Sequence, residues 1–299
     1  MVPDVADTSP PRPKTKMLRE RGPSMEQDLL PTNFMKTPTL RTSSSETGKS
    51  ATSNPTSLRF VAVTLTQIMC ASMVIQVLVI INNKEFTFGN ADNTGFSLDK
   101  ESKKVFNAHP VLMTLSFVLM TLGKLAFTVP FLAGRLSRPK LKAVHGSSWL
   151  LALISSSLAL YAVFASHNVK SQGYKANMYS LHSWVGIAVF AALIGNFMIG
   201  STAFGFQLIS PEARARLMPF HKLLGNLVYY GWGVAMILGL LSRSWILQCG
   251  YSVTEPDINP AAHYNDLPQT CRQMNGLGME VLATIVLVSV ASMEVEKAK

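Results

Sequence analysis

The sequence carries little charge for its length. Of its 299 residues only 15% are Asp, Glu, Lys or Arg, whereas a soluble domain usually has about 25%. Hydrophobic residues reach 48%. This composition argues against a soluble protein and indicates one that lies in a membrane. The net charge of +10 comes from basic residues in a tail and in loops between apolar runs, which fits orientation in a bilayer better than nucleic-acid binding.

Cysteine is also scarce. There are three cysteines and no Cys-x-x-Cys pair. This argues against thiol-rich metal sites and against covalent attachment of a c-type haem. Any metal or cofactor site is therefore expected to use other side chains.

Long apolar runs are the main feature that the sequence does contain. A helix needs roughly 20 apolar residues to cross about 30 Å of hydrocarbon, and backbone groups in lipid must find partners within the helix. The runs that meet this length are Phe60–Ile81, Pro110–Ala133, Val144–Ala165, Leu181–Ala203, Lys222–Leu241 and Leu277–Met293. We predict an all-α membrane protein with six transmembrane helices.

Residues 1–59 differ from the rest of the chain. They are rich in Ser, Thr and Pro and cannot bury a core, so we predict a disordered tail without a cleavable signal sequence. With six spans, both termini lie on one side of the membrane. That side would hold 18 Lys and Arg residues, and the opposite loops eight. Because positive residues concentrate in short cytosolic loops, we expect both termini to be cytosolic.

Histidines begin four consecutive apolar runs. They are His109, His145, His182 and His221, separated by 36, 37 and 39 residues. Consecutive spans are antiparallel, so His109 and His182 share the outer side, and His145 and His221 share the cytosolic side. This arrangement excludes one four-histidine zinc site, because all its ligands would have to surround one ion. Two facing pairs are instead how a protein holds two haem irons from both axial sides.

Sequence motifs around these histidines match a known family. They are AHPVLM at 108–113, KAVHG at 142–146, HNVKSQGYKANMYSLHSWVG at 167–186 and PFHKLLG at 219–225. On these motifs the chain resembles the cytochrome b561 family of transmembrane, ascorbate-dependent, di-haem oxidoreductases. We therefore expect a cytosolic tail, residues 1–59, and a transmembrane domain of this family, residues 60–295.

The resemblance implies a fold and an activity. Helices 2–5 would form a four-helix bundle around two b haems, with His109 and His182 binding the outer iron and His145 and His221 the cytosolic iron. Electrons would pass from cytosolic ascorbate to monodehydroascorbate or a ferric chelate on the non-cytoplasmic side. The choice between these acceptors, the organelle and a homodimeric state stay open. One departure is that the Tyr-Arg pair that often ends the family's second span is missing from LAFTVPFLAGR.

Several polar residues near these histidines are candidates for substrate contact. Ascorbate is an anion, so Lys140 and Lys142 before His145, and Arg216 before His221, are expected to attract it or the haem propionates. On the outer side the family resemblance assigns this neighbourhood to His167, Asn177 and Tyr179, and His167 could take up a proton. Each of these residues could equally be an ordinary interfacial or solvated side chain.

Other polar residues lead to further expectations. Lys124 lies inside the second run, where it would either extend to the interface or pair with a haem propionate. Cys249 and Cys271 share one outer loop and are expected to form a disulfide, whereas His263 is expected to be solvated. The alternative function is a histidine-lined proton or metal-ion transporter without haem. It needs ionisable residues within the spans, and Lys124 was the only one identified there.

Overall fold

The computed structural model describes residues 55–87, 89–129, 134–168, 174–249 and 268–297. Most of the predicted tail and His263 lie outside these residues. Within the described ranges the chain is helical and has no strand. Its long helices are α1 (Pro55–Ile81), α2 (Val105–Leu125), α3 (Arg138–Asn168), α4 (Leu181–Ile199), α5 (Pro211–Ile246) and α6 (Gln269–Lys297).

These six helices are each long and apolar enough to cross a membrane. The prediction of an all-α, six-span membrane protein is confirmed. We call the membrane face at which α1 begins the first face, and the face at which α1 ends, near Ile81, the second face. Because the spans alternate in direction, α3 and α5 begin at the first face, and α2 and α4 begin at the second.

The second span was predicted incorrectly at both ends. The apolar run suggested Pro110–Ala133, but α2 covers Val105–Leu125. Pro110 is accepted inside the helix, in its second turn. Beyond Leu125 the chain turns, because Pro130 disfavours helical geometry in the residue before it. The guanidinium of Arg59 on α1 donates to the Thr128 carbonyl at 2.6 Å and stabilises this turn.

The central helices are arranged as two antiparallel hairpins, α2 with α3 and α4 with α5. In the first hairpin, Ser155 Oγ donates to the Leu112 carbonyl at 2.8 Å, and Ser116 Oγ donates to the Ala152 carbonyl at 2.9 Å. Residue numbers therefore rise on α2 as they fall on α3. Serine is small enough to let the two backbones approach while its hydroxyl satisfies a carbonyl in lipid.

Local sequence signals set the ends of the second hairpin. Ser180 caps α4 and Ser210 caps α5, each by accepting a backbone N–H of the first turn, and Pro211 occupies the first position of α5. At its far end α4 continues into a π-helix, Gly200–Gly205. The helix α5 extends beyond the predicted span at both ends.

Helices α1 and α6 pack on each other outside the two hairpins, and α6 also contacts α5. The chain entering α6 is tied to the end of α5 by a disulfide between Cys249 and Cys271, which confirms the predicted bridge. Cys70 is the remaining cysteine and is buried on α1. This outer pair leaves α2–α5 as the part of the molecule that carries His109, His145, His182 and His221.

Candidate functional site

The four histidines form two facing pairs in the bundle α2–α5. Near the second face, His109 of α2 faces His182 of α4, with ring centroids 6.1 Å apart and ring planes at 86°. Near the first face, His145 of α3 faces His221 of α5, with centroids 6.3 Å apart and planes at 75°. Each pair joins one helix of the first hairpin to one helix of the second.

The separation within each pair is that required by a metal bound between two imidazoles. A ring centroid lies about 1.2 Å from its own nitrogen, and an imidazole nitrogen binds a transition metal at about 2 Å, so two imidazoles on opposite sides of one metal place their centroids about 6.4 Å apart. Both observed separations agree with this value. Two neutral imidazoles on opposite sides of one position are the ligand set of a six-coordinate haem iron.

Hydrogen bonds fix which nitrogen faces the partner ring in three of the four histidines. Nδ1 of His109 donates to the Ala159 carbonyl at 3.1 Å, Nδ1 of His182 to the Ala235 carbonyl at 2.8 Å, and Nδ1 of His145 to a carbonyl of α2 at 2.8 Å. A carbonyl can only accept, so Nδ1 must carry the proton. Nε2 is then the nitrogen with the lone pair that a metal needs.

Glycines on neighbouring helices make room for the imidazole rings. A Cβ on Gly239 of α5 would lie 2.9 Å from Cε1 of His182, and a Cβ on Gly200 would lie 2.9 Å from Cε1 of His221. Real side chains do not approach this closely. The two glycines therefore let the histidines of the second hairpin adopt the observed orientations, and this arrangement fits the haem that the histidine pairs suggest.

Lys124 near the first face has partners that the sequence did not reveal. Its Nζ donates a hydrogen bond to Oδ1 of Asn226 on α5 and lies 5.3 Å from the ring centroid of Tyr229 and 5.5 Å from that of Tyr230. The ammonium is therefore held between α2 and α5. Lys124 directly follows Gly123, whose carbonyl accepts from Nδ1 of His145, so a fixed cation lies beside that pair.

The basic residues proposed as donor-side contacts lie on exposed surface near the first face. Lys140 and Lys142 are exposed on the first turns of α3, and Arg216 is exposed on the first turns of α5. Lys142 precedes His145 by three residues, so the two side chains leave the same side of α3. The cations and the His145–His221 pair thus occupy the same end of the bundle.

His167 lies near the second face, at the end of α3. Its Nδ1 is 3.1 Å from Oδ1 of Asn177, and Nδ2 of Asn177 donates to Oδ1 of Asn168 at 2.9 Å. The structure therefore brings together His167 and Asn177, which the sequence analysis had grouped. Tyr179, the third member of that group, is 63% exposed.

Arg243 is a residue that the sequence analysis placed in a loop, whereas it belongs to α5. Its guanidinium donates to the Phe86 carbonyl and lies 4.4 Å from the Phe86 ring centroid and 5.4 Å from that of Phe106. Phe106 in turn stacks on His109, with centroids 6.4 Å apart. The signal that could have found Arg243 is its position four residues after Gly239, on the side of α5 that meets His182.

Glu280 is a second ionisable residue within the spans, so the expectation that Lys124 is the only one there was wrong. Glu280 lies in the middle of α6 and accepts hydrogen bonds at Oε1 from Ser72 Oγ at 2.8 Å and Gln76 Nε2 at 2.6 Å, both on α1. The carboxyl group thus connects the two outer helices. It lies away from the histidine pairs in the helix arrangement.

Comparison with known proteins supports one family. The family described as eukaryotic cytochrome b561 matches residues 108–247. A lysosomal membrane ascorbate-dependent ferrireductase of Danio rerio is 31% identical over 221 residues, 73% of this chain and 83% of that protein. A probable ascorbate-specific transmembrane electron transporter of Oryza sativa subsp. japonica is 30% identical over 52% of this chain and 64% of its own length. A plasma membrane ascorbate-dependent reductase of Xenopus laevis is 32% identical over 59% of this chain and 58% of its own length.

Proposed function

The chain belongs to the cytochrome b561 family, and from this we propose that it is a transmembrane, ascorbate-dependent oxidoreductase with two b haems. His109 and His182 would bind one haem, and His145 and His221 the other. The observation that carries this proposal is the separation of 6.1 and 6.3 Å between the rings of the two pairs. Both values match an iron held by two axial imidazoles.

The protein contributes ligand geometry and a position within the membrane. A haem iron with both axial positions filled by imidazole exchanges electrons without binding oxygen. Backbone carbonyls that accept from Nδ1 hold the rings of His109, His145 and His182 in the orientation that turns Nε2 inward. The helices that carry the pairs are apolar and long enough to cross a membrane, so these histidines would hold the haems within its insulating part.

The donor site is proposed at the first face, which we take to be cytosolic. Lys140, Lys142 and Arg216 are exposed cations near the His145–His221 pair. They would attract the ascorbate anion and orient it towards that end of the bundle. The dense positive charge of the short loops at this face supports the cytosolic assignment, and with it cytosolic termini.

The acceptor site is proposed at the second face, near His167 and Asn177. The imidazole of His167, held by Asn177 at this face, would contact the acceptor or take up a proton. The relatives include a ferrireductase and an ascorbate-specific electron transporter, so a ferric chelate and monodehydroascorbate are both candidate acceptors. A homodimer and the membrane in which the protein resides stay as predictions.

The test uses the full chain in liposomes with ascorbate trapped inside and a ferric chelate outside. One ferric ion should be reduced for each one-electron oxidation of ascorbate, and the absorbance bands of reduced haem should appear on adding ascorbate. His109→Ala and His145→Ala should each abolish the transmembrane reaction, while His263→Ala should retain it. A colourless protein that moves protons or metal ions would instead favour the histidine-lined transporter.

A further inference from the structure

The hydrogen bonds of the histidines follow one rule of spacing. Each acceptor carbonyl lies fourteen residues after a ligand histidine of its own helix: Gly123 after His109, Ala159 after His145, and Ala235 after His221. A histidine of one helix therefore bonds to a backbone carbonyl of the other helix in the same hairpin. The first hairpin completes this exchange, because His109 bonds to α3 and His145 bonds to α2.

In the second hairpin, only one of the two histidines forms such a bond to a backbone carbonyl. His182 bonds to α5, and the rule assigns the position fourteen residues after His182, Asn196, as the partner of His221. The Asn196 backbone carbonyl lies near His221 but outside hydrogen-bond geometry. Nδ1 of His221 is therefore buried without a hydrogen-bond partner in the structure. A buried donor without an acceptor is costly, and a metal-bound histidine almost always has one.

Asn196 differs from its three counterparts in having a polar side chain. They are Gly or Ala, whereas Asn196 carries an amide that is 6% exposed and whose Oδ1 is itself buried without a partner. Gly225, one turn after His221, gives this amide space, because a Cβ there would lie 3.1 Å from Nδ2 of Asn196. A buried donor and a buried acceptor thus lie at the one position where the carbonyl bond is missing.

We propose that Asn196 is a positioning residue for the His145–His221 site, and that its side-chain Oδ1 accepts the hydrogen bond of His221 Nδ1. This inference rests on the proposed function, in which His221 binds haem iron. Asn196 then does for His221 what backbone carbonyls do for the other three histidines. Because this acceptor belongs to a side chain, mutation can remove it, whereas mutation cannot remove a backbone carbonyl.

If Asn196 has this role, removing and strengthening the acceptor should change the midpoint potential of the haem at His145–His221 in opposite directions. An acceptor at Nδ1 makes imidazole a stronger donor to the iron and favours the ferric state. Asn196→Leu removes the acceptor, so the potential of the haem at His145–His221 should rise. Asn196→Asp supplies a stronger acceptor and a negative charge, so that potential should fall.

The experiment is a redox titration of the purified full chain, followed by visible absorbance and by the electron paramagnetic resonance signals of the two haems. His221→Ala identifies the component that belongs to this site. The control is Thr284→Val on α6, where a buried polar side chain outside the histidine-bearing helices also has no hydrogen-bond partner, and neither potential should move. Because a buried carboxylate lowers a potential by its charge alone, the sign of the change in Asn196→Leu decides the question.

An unchanged or lowered potential in Asn196→Leu overturns the proposal. An equal shift of both potentials also overturns it, as does loss of haem from both the Leu and the Asp variants. Either result would mean that Asn196 acts only through packing. Loss of this haem in the Leu variant with retention in the Asp variant supports it. If the unmodified protein binds no haem, the proposed function fails first, so the two failures are distinguishable.

Discussion

His145 on α3 donates a hydrogen bond of 2.8 Å from Nδ1 to the backbone carbonyl of Gly123 on α2. The same glycine borders Trp149, because a Cβ at position 123 would lie 2.8 Å from Trp149 Cδ1. One residue therefore provides an acceptor for a ligand histidine and the space for the indole beside it. Helix α2 can approach α3 this closely only because the residue there is glycine.

Gly123→Ala is expected to destabilise the protein, although alanine is normally the better helix former. The added methyl group must displace Trp149 or move α2, at a cost of about 1–3 kcal/mol. Thermal unfolding and haem content should both fall, and the haem at His145–His221 should be affected first.

Two comparisons control this prediction. Gly146→Ala on α3 adds a methyl group where no atom lies within 4 Å, so it should be neutral or slightly stabilising. In a double-mutant cycle, Gly123→Ala should cost much less in a Trp149→Leu background. If Gly123→Ala is as well tolerated as Gly146→Ala, the close packing described here is wrong.

Gly239→Ala and Gly200→Ala are expected to perturb different haems. Each methyl group would meet one imidazole at 2.9 Å, that of His182 for Gly239 and that of His221 for Gly200. The electron paramagnetic resonance signal of the corresponding haem should shift or disappear, while the other signal stays. Gly195→Ala, which meets no atom within 4 Å, is the control. Identical spectra for the two variants would contradict the assignment of each glycine to its own site.

Lys124→Met should lower the midpoint potential of the haem at His145–His221. Lys124 is a fixed cation between α2 and α5, next to the residue whose carbonyl binds His145, and removing a positive charge stabilises the ferric state. The other haem, nearer the second face, should change little. Lys103→Met, an exposed lysine at the second face, is the control. Two unchanged potentials in Lys124→Met would show that this cation has no role in tuning the site.

The sequence was sufficient to predict the spans and the pairing of the histidines. Hydropathy identifies a helix that must cross lipid, and alternation of direction then puts His109 with His182 and His145 with His221. Family motifs added the nature of the cofactor. The end of α2 at Leu125 was missed because the apolar run continues past it, and hydropathy does not register a turn before Pro130.

Contacts between helices, apart from the histidine pairs and the disulfide, could not be predicted from the sequence. Two examples are the contact of Lys124 with Asn226 and the contacts of Glu280 with Ser72 and Gln76. These contacts depend on the rotation and register of helices that are far apart in the chain. Periodicity shows which residues share one helix, but it does not show which residue of another helix they meet. The pairing of Glu280 with α1 required coordinates for this reason.

Lys142→Gln should raise the KM for ascorbate about threefold and leave kcat nearly unchanged. An exposed cation near the donor site attracts the anion by a screened interaction, so its removal has a modest effect that shrinks at high salt. Lys142→Arg keeps the charge and should restore the KM. Lys84→Gln, at the second face, should have no effect on ascorbate oxidation. A KM that is insensitive to the charge at position 142 would remove Lys142 from the donor site.

The central claim is that the four histidines form two independent haem sites, and haem content per chain in single and double His→Ala variants tests it most directly. The unmodified protein should bind two haems, and each single variant one. His109→Ala with His182→Ala should lose no more than either alone, and so should His145→Ala with His221→Ala. His109→Ala with His145→Ala should lose both haems. The pairing would be contradicted if the double variant His109→Ala with His145→Ala still kept one haem. It would also be contradicted if His109→Ala with His182→Ala lost two haems.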